Sequence, residues 1–96
     1  MQRSQYLRRL QEAILAVHEA NATHERSQAV TEIFPDETAW KGNVEVFSIT
    51  GHPKARRCYA WAYDDKGTLR TTAVLELPPV DSPESAVRVA IAAKSR

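Results

Sequence analysis

Between Ser4 and about Ala20 the apolar positions Tyr6, Leu7, Leu10, Ala13, Ile14 and Val17 recur three and four residues apart. That spacing lays one stripe along a helix, with Arg8, Gln11, Glu12 and Glu19 on the solvated side and Ser4 as the expected cap. Leu15 falls outside the stripe, and the run Glu19 to Glu25, with its Asn and Thr, ends the helix. In residues 27–34 the β-branched and aromatic Val30, Thr31, Ile33 and Phe34 lead into Pro35. A strand is the reading chosen there, and a short helix is the alternative. Pro35 to Asn43 reads as a loop. Val44–Thr50 then alternates as a strand, stopped by Gly51 and Pro53.

Two further strands follow, Arg56–Asp64 and Thr68–Leu77, separated by the turn residues Asp64 to Gly67. A type I turn with Gly67 as a positive-φ bulge suits this stretch better than a two-residue loop, which would force left-handed backbone on Lys66. In that register Tyr59, Trp61 and Tyr63 oppose Ala73, Thr71 and Leu69, and share a face with Leu75 and Leu77. The aromatics are therefore expected to be core rather than an exposed platform. Cys58, Ala60 and Ala62 are left as a smooth opposite face, open to solvent or to a second subunit. Ser82, Pro83 and Glu84 start a last helix through a hydroxyl cap, a first-turn proline and a carboxylate at the positive dipole end. It runs to about Ala93 with Val87, Ala90 and Ile91 inward, and with Lys94 and Arg96 near its end.

The order helix, four strands, helix predicts an α+β fold, a two-layer sandwich. An antiparallel meander of about four strands carries the N-terminal and C-terminal helices on one face. Ninety-six residues suit one domain, 1–96, and 43% apolar with 26% charged residues suits a folded chain. A formal net charge of +1 gives no global field, so a polyanion would have to meet a local patch. One cysteine excludes an internal disulfide and a multi-cysteine metal site. The amphipathic start and the lack of a long apolar run predict no signal peptide and no membrane span, hence a cytoplasmic protein.

Two patches carry candidate chemistry. In Gly51–Arg57 the side chains of His52, Lys54, Arg56 and Arg57 gather without an acid, and Arg3, Arg8 and Arg9 form a second basic group. Such residues can contact phosphates and sugar hydroxyls, although three cations are a small footprint. The element order partly resembles a double-stranded-RNA-binding domain, and His52 sits in a loop comparable to one that holds a histidine in that family. The lysine cluster that opens the family's last helix is replaced here by Asp81-Ser82-Pro83-Glu84-Ser85, which repels phosphate, and the fourth strand also departs from the pattern. His18, His24 and His52 lack metal-ligand spacing, and Cys58 reads as a packing residue. No catalytic residue, cofactor or metal is expected, and the chain reads as non-enzymatic. The first functional reading is a small interaction domain that binds a protein or a second copy of itself through the sheet face or the loop Gly51–Arg57. The second is a nucleic-acid-binding domain using the loop Gly51–Arg57 and the N-terminal arginines.

Overall fold

The computed structural model describes residues 2–94. Its elements are α1 (Arg3–His18), β1 (Asn21–Ile33), β2 (Ala39–Thr50), β3 (Arg57–Asp65), β4 (Thr68–Leu75) and α2 (Pro83–Lys94). The four strands form one antiparallel sheet in the order β1-β2-β3-β4. The expected α-β-β-β-β-α order and meander are therefore present, and residues 27–34 are strand except at the Phe34 turn. β2 starts earlier than expected, so Trp40 and Gly42 lie on a strand rather than in a loop.

α1 begins at Arg3, with Gln2 donating its N–H to the Gln5 side chain at 3.3 Å, so Ser4 lies inside the helix and does not cap it. α2 starts as expected: Ser85 donates its N–H to Ser82 Oγ at 3.1 Å, and Ser85 Oγ accepts from Asp81 and Ser82 N–H groups. Arg96, expected near its end, lies outside the described residues.

The helices do not share a face. Leu10 and Ile14 of α1 pack with Phe47, Ile49, Cys58 and Ala60, while Ala86 and Val87 of α2 pack with Val44, Val46, Tyr59 and Trp61. Successive side chains of β3 point to opposite sides, so the two clusters lie on opposite faces and the molecule has helix, sheet and helix layers. The small residues explain this, because Ala60 and Cys58 let α1 approach the sheet closely. The smooth face expected to be free for a second subunit is the floor of α1.

The hairpin register also differs from expectation. Asp65 pairs with Thr68, Trp61 with Thr72 and Tyr59 with Val74, one residue away from the predicted set. Lys66 and Gly67 form a two-residue loop with φ of 54° and 86°. The aromatic stripe thus lies beside Val74, Thr72 and Arg70 rather than Ala73, Thr71 and Leu69, and Tyr59 and Trp61 are still buried as expected, because α2 covers them. Burial on both faces removes the hydrophobic preference for one register. The left-handed lysine costs only about 1–2 kcal/mol. Lys66→Gly should accordingly stabilise the fold by up to about 1 kcal/mol, whereas Gly67→Val should cost about 1–3 kcal/mol. Thermal melts of both variants check this pair, and equal melting temperatures would contradict the turn.

The sheet is split at one end. β2 pairs with β3 only from Glu45–Ala60 to Ser48–Arg57. Beyond that, the Ala62 N–H, which would continue the ladder, donates instead to the Tyr6 hydroxyl of α1 at 3.0 Å. Trp40 stands edge-on to Trp61 across this gap, with centroids 5.6 Å apart.

Candidate functional site

The basic loop is built by its histidine. His52 Nδ1 accepts the N–H groups of Lys54 at 3.1 Å and Ala55 at 2.9 Å, which folds the chain back so that Ala55 enters the core. His52 is therefore a loop organiser, with its proton on Nε2. Arg57 leaves the patch: its Nε donates to Glu25 at 3.2 Å and Glu76 lies 3.8 Å away, and these carboxylates hold its guanidinium pKa above the ordinary value. The acids come from β1 and from the end of β4, distant in sequence. Lys54 and Arg56 stay exposed.

The N-terminal group is divided in the same way. Arg3 turns inward to Glu45 at 3.2 Å and to Ser27, while Arg8 and Arg9 remain exposed near Glu12. Gly51 adjoins the Glu19 carbonyl at the far end of α1, ten residues from Arg9, or roughly 15 Å along the helix axis. The exposed remnants of the two basic groups are thus separate pairs.

Sequence reasoning missed the most buried acid. Glu45 is 1% exposed on the α1 face of β2, and its Oε1 accepts from Arg3, from His24 Nε2 at 2.8 Å and from the Ser27 hydroxyl. His24 also stands edge-on to Phe47. The carboxylate sits between hydroxyl and imidazole, so the histidine cannot take the serine proton, and the set is not a nucleophile with its base. It ties the start of α1 to β1 and β2 with charge-assisted bonds. The pattern Val44, Glu45, Val46, Phe47 held the clue, because an acid flanked by apolar residues on a strand with two covered faces must be buried.

Cys58 is buried, and burial pushes its thiol from the ordinary 9.0 up to about 12. A thiol reagent should therefore modify it only as the chain unfolds. An unfolded chain loses the proton at lower pH than the folded one, so this group's effect is neutral below about pH 9 and destabilising as pH rises towards 12. The tyrosines Tyr6 and Tyr59, raised mainly by burial, act in the same direction, and Glu76 adds to the shift at Tyr59, whose hydroxyl it accepts. A denaturant midpoint that falls across this alkaline range checks the expectation.

A groove of about 620 Å³ lies on the α2 side of β3 and β4. Trp40, Trp61 and Tyr63 form one wall, Val74 the floor, and Val89 and Ala90 of α2 the other wall. It continues round the rim of β4 to His18 of α1, whose Nε2 bonds the Ala73 carbonyl at 3.0 Å. None of these residues stood among the candidate site residues read from sequence, because the groove depends on where α2 stops covering the sheet. Among the described residues no group of three or more histidine, cysteine or acidic side chains is placed to hold a metal. No described helix is long and apolar enough to cross a membrane. No family model, curated protein or solved structure matches this chain.

Proposed function

We propose that this protein is a small, non-enzymatic binding domain whose site is the groove along β4. One observation carries the reading: an open cavity of about 620 Å³ has an aromatic wall and few polar groups, and runs beside an unpaired strand edge. Cavities of that size and lining suit an apolar side chain or small apolar ligand, with His18 and Thr72 as polar guides. A single buried thiol suits a reducing compartment, and the cytoplasm is the proposed location.

An anilinonaphthalene probe tests the site at high dilution. Wild type is expected to enhance its emission, with energy transfer from tryptophan, and Ala90→Arg is expected to abolish the effect while keeping its far-UV dichroism. Absence of probe binding by folded wild type would remove the reading.

Nucleic-acid binding remains the second reading, supported by exposed Lys54, Arg56, Arg8 and Arg9. Two of the cations first considered are occupied by Glu25 and Glu45, which weakens it. Wild type and a Lys54→Gln, Arg56→Gln variant should therefore elute together from a phosphate-bearing column at physiological salt. Retention lost only in the variant, with a salt slope lower by about two, would put nucleic acid first.

A further inference from the structure

The two sheet edges are protected unequally. β1 carries Glu25, Arg26 and Glu32, and its pairing with β2 is interrupted by a bulge between His24 and Arg26. Charges and bulges of this kind discourage further strand pairing. β4 has one charge, Arg70, and no proline, and its register with β3 runs unbroken from Asp65–Thr68 to Cys58–Leu75.

The parity of its backbone is defined. Glu76 donates its N–H to the Arg57 carbonyl, so Val74 and Thr72 also face β3, while Thr71, Ala73 and Leu75 face outward. The His18 bond to the Ala73 carbonyl agrees with this. Apolar side chains flank the open rim on both sides. Val17, just before His18, lies on the helical stripe of Leu10 and Ile14 yet is 67% exposed, and Val89 of α2 is exposed on the groove wall.

We propose that β4 is the pairing edge of a homodimer, to which β4 of a second copy adds antiparallel about a two-fold axis at Ala73. This rests on the reading of the groove and edge as a binding site, and names its occupant. Ala73 faces its own mate and Thr71 faces Leu75 of the second copy, so only outward-facing residues pair and about six main-chain bonds form. On the α2 side Thr72 meets Val74, and Arg70 comes opposite Glu76 in both symmetric positions. Arg70 pairs with Asp65 of its own chain at 3.5 Å and Glu76 already holds Arg57 and the Tyr59 hydroxyl, so the pair adds a shared rather than a new carboxylate contact. The Ala73 carbonyl has two lone pairs and can keep His18 while accepting the incoming N–H. Val74 of each copy adds apolar surface at the rim of the other's groove. Charge complementarity and matching parity in one register favour a second copy over an unrelated strand.

Light scattering behind size exclusion is expected to give a mass that rises towards two chains with concentration. Amide exchange at Thr71 and Ala73 should be fast when dilute and slow when concentrated, with Thr72 and Val74 protected throughout. Thr71→Lys should hold the chain at single mass with unchanged far-UV dichroism. Arg70→Glu should weaken association roughly tenfold at low salt, through like charges in two cross-strand pairs. The exchange measurement on wild type and the Arg70→Glu variant decide the matter if Thr71→Lys does not fold. Single mass at every concentration with fast Thr71 and Ala73 amides overturns the proposal, as does a dimer indifferent to both substitutions. Probe binding at dilution tests the groove separately, so a monomer that binds the probe leaves the groove reading intact.

Discussion

Trp61→Ala is expected to destabilise the domain by about 3–5 kcal/mol, through lost transfer free energy and the cavity left behind. Trp61 is buried among Val44, Val87 and Tyr59 and meets Trp40 edge-on, so it joins α2 to both hairpins of the sheet. Its neighbours come from elements that cannot all collapse into the space at once. Denaturant unfolding of the variant measures the loss. In a Trp40→Phe background the remaining native emission should be blue-shifted. Emission like that of free tryptophan in water would mean that α2 does not cover the aromatic stripe.

Leu10→Ala should cost about 2–5 kcal/mol, for the same physical reason on the other face. Leu10 is fully buried against the small residues Cys58 and Ala60, and truncating it leaves α1 held mainly by Ile14, Tyr6 and the Glu45 cluster. The same variant should expose Cys58, so thiol modification under native conditions should accelerate along with the loss of stability. A small effect on both would mean that α1 is not seated on the Cys58–Ala60 face, which would then be available as first supposed.

The candidate site was legible only in pieces. His52, Lys54, Arg56 and Arg57 were visible as a basic loop, but the acids that occupy Arg57 lie on β1 and after β4, brought near only by strand pairing. The burial of Glu45 depends on both sheet faces being covered, which no local pattern states. The groove had no local mark at all, since its walls come from β2, β3, β4 and α2.

Local chemistry was enough for the element order. The three- and four-residue spacing around Leu10 and Ile14, the Ser82-Pro83-Glu84 start, and Gly67 at positive φ each act within a few residues, so their effects can be read directly. Which face each helix covers is a long-range matter. Both sides of β3 are apolar, Tyr59 and Trp61 on one and Cys58 and Ala60 on the other, so the pattern allowed a helix on either. The hairpin register depended on the same choice: with one covered face the aromatics needed Ala73 and Thr71 opposite them, and with two they did not. Only the packing of α1 and α2 on opposite sides decided it, because burial free energy depends on what covers a side chain and not on the residue type alone.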